Sequence, residues 1–247
     1  MKLRHSLVLL TWCLASLAGL SANAGVIING TRVIYNAEDK EATLRINNDS
    51  TTPSLVQVWL DSGDAKSTPE TGKSPFFATP PIFRVDPNKG QTVRIIYARD
   101  PLPTDRESVF WLNILDVPPM PVTKSADDAN YMQLAIRSRM KLFYRPTGLP
   151  GSSFAAADKV QWTLHQNADG VVLQGKNDSV FNVSMDSAKI VISDKTYEVV
   201  TSMIAPKSSA EFVVRDLKQI PTQASQLEYV TINDFGSAVK HTNSLTP

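Results

Sequence analysis

Residues Tyr131 to Pro146, YMQLAIRSRMKLFYRP, alternate between two chemistries. Met132, Leu134, Ile136, Met140 and Leu142 share one parity, interrupted by Ser138. Gln133, Arg137, Arg139, Lys141 and Arg145 share the other, with Ala135 and Phe143 among them. A period of two means a strand, because successive Cβ atoms point to opposite faces. The pattern predicts one strand across the whole run, long against the usual length of about 5–6 residues. Two readings follow. In one it is a central strand with its apolar face in a core. In the other it is an edge strand whose apolar residues are offered to a partner. Periodicity alone favours the first.

The rest of the chain repeats the strand pattern. Gly25 to Tyr35, Ala42 to Asn47, Ser54 to Leu60, Phe76 to Val85, Gln91 to Tyr97 and Val109 to Val117 are apolar, β-branched or alternating. Turn clusters separate them, including Asn29-Gly30, Asn47-Asn48-Asp49-Ser50 and Asp86-Pro87-Asn88-Lys89-Gly90. Strands at roughly 8–12-residue spacing with such turns predict an antiparallel sandwich. Thr147 to Ser153 reads as a linker, and shorter strands follow from Trp162 to Ile232. The polar stretch from Lys240 reads as a frayed tail. No long 3.6-residue period occurs. The expected class is all-β, with room in 247 residues for two sandwiches.

The first 24 residues form a separate object. Lys2 and Arg4 precede an apolar run from Leu7 to Leu20, and Ala22-Asn23-Ala24 is a small-x-small cleavage site. The mature chain is therefore expected to begin at Gly25. The apolar run is short for a membrane span, which needs about 20 residues, so an exported, soluble protein is expected. Cys13, the single cysteine, lies inside this segment, so no disulfide is expected after export. A net charge of +1 gives no sign of nucleic-acid binding or membrane-surface affinity.

Catalytic and metal-binding signatures are lacking. Beyond the first segment only His165 and His241 remain, in unrelated contexts. There is no G-x-S-x-G, no H-E-x-x-H and no phosphate-cradling glycine loop. Asp61-Ser62-Gly63-Asp64 resembles a fragment of a calcium loop but lacks the later acceptors, so it reads as a polar turn. No catalytic residue, metal site or cofactor is expected.

The blocks GTRVIY, ATPPIFRV, DRESVFWLNILDVPP, MKLFYRP and YVTINDFG resemble, in order, those of the periplasmic chaperones of the chaperone–usher pathway, which assist assembly of pili and fimbriae. They run from Gly30 to Gly236. The resemblance implies two immunoglobulin-like domains set in an L around a cleft, spanning 25–146 and 147–247. It implies that Arg32 and Lys141 anchor the C-terminal carboxylate of a pilus subunit. It implies that Met132, Leu134 and Ile136 are lent to the subunit's open groove as a donor strand. Glu107, Arg145 and Asp234 match an interdomain charge triad, and Thr79-Pro80 matches a cis-proline site. The implied partners are fimbrial subunits and an outer-membrane usher, and the implied compartment is the periplasm. An exposed apolar edge invites aggregation, so capping by self-association is the expected answer when the protein is free. The loop from Met120 to Asn130 is read as nearer to the short-loop members.

Two other classes compete. An Ig-like adhesin or fibre component would keep a donor peptide in an N-terminal extension, whereas this mature chain is expected to start directly in a strand. A hydrolase on a sandwich scaffold would need a nucleophile and base that no motif supplies.

Overall fold

The computed structural model describes residues 25–120, 132–168 and 170–245. The first 24 residues, the loop 121–130 and Tyr131 lie outside them, and with them the cleavage and loop-length expectations.

Nine strands build the first sandwich: β1 (Val26–Ile28), β2 (Arg32–Asn36), β3 (Ala42–Asn48), β4 (Ser54–Asp61), β5 (Phe76–Thr79), β6 (Ile82–Val85), β7 (Gly90–Tyr97), β8 (Ser108–Val117) and β9 (Ile136–Arg145). One sheet runs β1-β3-β7-β5 and the other β2-β9-β8-β4-β6. The alternation in each strand puts one face inward. Val56, Val58 and Leu60 of β4, Phe110, Leu112 and Ile114 of β8, and Val93 and Ile95 of β7 are all buried. Each such side chain contributes about 1.5–3 kcal/mol of burial before ordering costs.

The apolar stretch from Gly25 to Tyr35 is divided between the sheets. β1 pairs antiparallel with β3, and β2 pairs parallel with β9. Gly30, at φ 128°, makes the switch; only glycine adopts that backbone readily. A second crossing joins β5 to β6, and the Thr79–Pro80 peptide there is cis.

A short helix α1 (Ser153–Ala156), capped by the Ser152 hydroxyl, and a 3-10 turn lead into the second sandwich. Its strands are β10 (Gln161–Gln166), β11 (Val171–Asn177), β12 (Val183–Ile192), β13 (Lys195–Val199), β14 (Met203–Ile204), β15 (Ser208–Val213), β16 (Ser225–Ile232) and β17 (Ala238–Leu245). Sheets β10-β11-β15 and β13-β12-β16-β17 enclose a separate core around Leu173, Ile190, Ile204, Phe212 and Leu227. Residues 240–245 are not a frayed tail. They are the last part of β17, a strand paired with β16 over its whole length. Hydropathy missed it because its inward positions include His241, which is held by Thr231 and Asp158 and stacked on Tyr229.

Candidate functional site: an open strand edge ending at two cations

The long run that suggested a single strand divides in three. Met132 to Ala135 have no strand hydrogen bonds, and β9 starts only at Ile136. The reason is the register. β8 ends at Val117, opposite the start of β9, so nothing is left for residues 132–135 to pair with. On the other side of β9, β2 covers only Lys141 to Arg145. The backbone edge from Ile136 to Met140 is therefore open on that side. The apolar parity continues past the core. Met140 and Leu142 are buried, whereas Ile136, Leu134 and Met132 are 62%, 66% and 83% exposed. The core reading holds for Met140 and Leu142, and the apolar residues before them lie exposed at an open edge.

Arg32 and Lys141 stand where that open edge ends. They are direct neighbours in the β2–β9 register. Arg32 Nη1 donates to the Ile232 carbonyl at 2.8 Å, and its Nε is buried without a partner among the described residues. Lys141 Nζ donates to Ser184 Oγ at 3.1 Å and lies 5.8 Å from the Trp111 ring centre. Neither cation has a carboxylate in ion-pair range among the described residues. Burial, and then repulsion from Arg32, push the Lys141 ammonium down to about 8. Burial likewise lowers Arg32, which stays charged at any ordinary pH. Two half-buried cations without an anion make a site that an anion would complete.

Below them the two sandwiches are joined by charge. Arg145 Nη2 and Nε donate to Glu107 Oε1 at 2.7 and 3.1 Å. Its Nη1 donates to Asp234 Oδ2 at 2.9 Å. Glu107 is almost fully buried, and its second oxygen accepts from the backbone and side-chain amides of Asn182 at 2.9 and 2.8 Å. Asp234 also accepts from Ser153 Oγ at 2.8 Å. Every charge in the cluster is thus compensated, as burial at such a joint demands. Asp105 and Lys207 add an exposed ion pair across the joint at 2.6 Å.

Sequence reasoning missed the residues that support this joint. Asn182 is not singled out in the sequence, and Ser153 is read there only as linker. Gly236 adopts φ +79° in the β16–β17 turn, and a Cβ there would collide with Thr31 Oγ1. Gly236→Ala is therefore expected to lower stability by about 1–2 kcal/mol. A denaturant titration checks this; an unchanged midpoint would show that the turn moves away freely.

The basic face of β9 is tied down as well. Asp61 accepts from Arg139 at 2.7 Å, Asn113 at 2.7 Å and Ser67 at 2.9 Å. Arg137 bonds Asn113 at 2.7 Å and lies 4.8 Å from the Trp59 ring centre. Arg139 stacks at 4.1 Å over Trp111. Asp61 also accepts from Gly63 N at 2.7 Å, so the calcium-loop fragment is a polar turn serving this network. Burial works against the Asp61 carboxylate, yet the bonds from Asn113 and Arg139 hold it below the usual carboxylate range.

Two all-β sandwiches, a charge-sealed joint and an open strand edge that ends at two cations, neither paired with a carboxylate among the described residues, define a two-domain β-sandwich protein. Residues 25–150 match the family model of the pili and flagellar-assembly chaperone PapD N-terminal domain. Residues 155–243 match that of the pili assembly chaperone PapD C-terminal domain. The chain is 40% identical over 232 residues to the chaperone protein FimB/FhaD of Bordetella pertussis, covering 92% of this chain and 91% of the other. It is 39% identical over 221 residues to the probable fimbrial chaperone YadV of Escherichia coli, covering 89% of both. The crystal structure of the YadV chaperone superposes with a TM-score of 0.77 at 38% identity, over 90% of this chain and all of that one. A SafB chaperone, solved in complex with the SafA pilin of Salmonella enterica, gives 0.73 at 25% identity, over 93% and 99%.

The chain belongs to the PapD-like family of pilus-assembly chaperones. It is a fimbrial chaperone by family, and not an enzyme.

Proposed function

We propose that this chaperone holds a fimbrial subunit along the open edge of β9 and grips its C-terminal carboxylate with Arg32 and Lys141. The observation that carries this is the coincidence of edge and cations. A strand added along Ile136 to Met140 would run into β2 at the level of Lys141, where the pairing register places Arg32. The backbone edge supplies hydrogen bonds, and Ile136, Leu134 and Met132 project as alternate apolar side chains for a groove in the subunit. Met132 and Leu134 would join β9 only once a partner strand orders them. The family and the SafA–SafB complex support a pilin as occupant.

On this reading the protein works in the periplasm, after loss of the first 24 residues, and passes subunits to an outer-membrane usher. Self-association through the same edge would shield it when free. The N-terminal domain is 25–146 and the C-terminal domain 147–247, with Glu107, Arg145 and Asp234 setting their mutual orientation.

The test is co-purification of the tagged protein from the periplasm with each candidate subunit, in the parent and with Leu134→Ser and Ile136→Ser combined. The parent is expected to hold one subunit stoichiometrically. The double variant is expected to lose that complex while melting as the parent does, since both side chains are already exposed. Loss of cooperative melting in the double variant would show that these residues belong to the core. No complex with any subunit would overturn the reading and favour a structural fibre component.

A further inference from the structure

At the far end of the first sandwich, Asp116 of β8 faces the start of β1. Val26 N–H donates to Asp116 Oδ2 at 3.3 Å. Asp116 Oδ1 is shielded from solvent and has no hydrogen-bond partner among the described residues. No cation pairs with Asp116 among them either, and its cross-strand neighbours are Val56 and Ile136, both apolar. An ionised carboxylate half-satisfied in such surroundings is a site for a positive donor.

Gly25 lies directly against it. A substituent on Gly25 Cα, placed where a side chain would begin, would sit 3.0 Å from Asp116 Oδ2. Gly25 has no side chain, so this tetrahedral position is open. The Gly25 carbonyl accepts from Asp49 N–H at 3.3 Å, which fixes the following peptide plane. With that plane fixed, rotation about the Gly25 Cα–C bond moves only the amino nitrogen. The rotation exchanges the three tetrahedral positions, and one of them is the open one.

We propose that processing between Ala24 and Gly25 creates an ion pair between the new α-ammonium of Gly25 and the Asp116 carboxylate, which the precursor cannot form. The proposal rests on the cleavage position read from Ala22-Asn23-Ala24. In the reaction water adds across the Ala24–Gly25 peptide bond. The hydroxyl goes to the Ala24 carbonyl carbon, the C–N bond breaks, and the released amine takes up a proton. Before the cut the nitrogen is a neutral amide with one donor, bound to the continuing chain, and has no charge to pair with the carboxylate. After it the nitrogen carries a charge and three donors. The pair fastens β1 of one sheet to β8 of the other, at the level where Ile136 begins β9. The processed chain thus gains a cross-sheet tie at the mouth of its own binding edge.

Four preparations test this: the chain starting at Gly25, the same chain retaining Ala24, and each of these with Asp116→Asn. The α-amino group of the Gly25 chain is expected to react with an acylating reagent at least about tenfold more slowly than in Asp116→Asn, because the ion pair holds the amine in its protonated, unreactive form. Retaining Ala24 or replacing Asp116 is expected to lower Tm by about 2–4 °C. The two changes together are expected to lower it no further than either alone. Equal acylation rates, or additive losses of Tm, overturn the inference. The mass of the exported protein separates the two premises. A chain beginning elsewhere than Gly25 overturns the inference along with the cleavage position. Equal rates in a chain that does begin at Gly25 overturn the inference alone. Neither result bears on subunit capture.

Discussion

Lys141→Ala and Arg32→Ala are each expected to weaken subunit capture by about 10–100-fold while leaving the fold intact. The magnitude follows from losing a charge-assisted hydrogen bond, worth about 1.5–3 kcal/mol. The intact fold follows from the ion-pair pattern, since neither cation holds a carboxylate among the described residues. Removing Lys141 removes a half-buried charge that meets the Ser184 hydroxyl but no carboxylate among the described residues, so its variant should melt no lower than the parent. Subunit affinity from titration and Tm from calorimetry check both halves. A variant that binds as tightly as the parent would show that the carboxylate is held elsewhere.

The same site has a pH signature. With its ammonium pushed down to about 8, Lys141 in the free protein is charged below that pH and neutral above it. The cost of burying the charge is therefore present below about 8. It is relieved as pH rises toward the ordinary lysine range, so the free protein gains stability there. A bound carboxylate favours the ammonium and raises it again. Capture just above pH 8 should take up a proton and weaken with rising pH. Calorimetry of binding in buffers of different ionisation enthalpy reads the proton count. A count of zero at pH 8–9 would show that Lys141 does not meet the subunit's charge.

The second large effect is expected at the joint. Arg145→Ala should cost about 3–5 kcal/mol, because it strands Glu107 and Asp234 in a place built for three charges. For a chain of this size that is a fall in Tm of roughly 6–20 °C. Glu107→Gln should cost less, since Asn182 can still donate to an amide oxygen. Asp234 adds an acid limit. Burial opposes its charge, but the bonds from Arg145 and Ser153 hold its carboxyl below the usual range. A depressed carboxylate stabilises the fold above its unfolded value and loses that contribution only as pH falls through the folded one. Arg145→Ala should therefore also melt at higher pH on acid titration. A variant with the parent's Tm would mean that the sandwiches are held together by other contacts.

Much of this was legible in the residues. Period-two alternation and the turn clusters are local properties of the backbone, so most strands of both sandwiches could be read directly, β17 being the exception. The charged triad is scattered over Glu107, Arg145 and Asp234, and no spacing rule joins them. Only the resemblance to a family suggested that they meet. Asn182 and Ser153, which complete the triad's hydrogen bonds, carry no signal in sequence because any loop holds such residues. Gly236 was visible as part of NDFG, but its reason, the Thr31 side chain standing where a Cβ would go, is a fact of packing.

The sequence by itself determined an all-β chain with an amphipathic stretch too long for one role. It could not say where along that stretch burial ends, because parity is the same on both sides of the boundary. Register decided that. β8 runs out at Val117 and β2 begins only opposite Lys141, so Met140 and Leu142 fall inside the core while Ile136, Leu134 and Met132 overhang it. The tertiary structure also decided that Arg32 and Lys141, over a hundred residues apart, stand side by side with no carboxylate paired to them among the described residues. Alternation is written in each residue's neighbours, but the end of a sheet and the company of a charge depend on strands that the chain brings from far away.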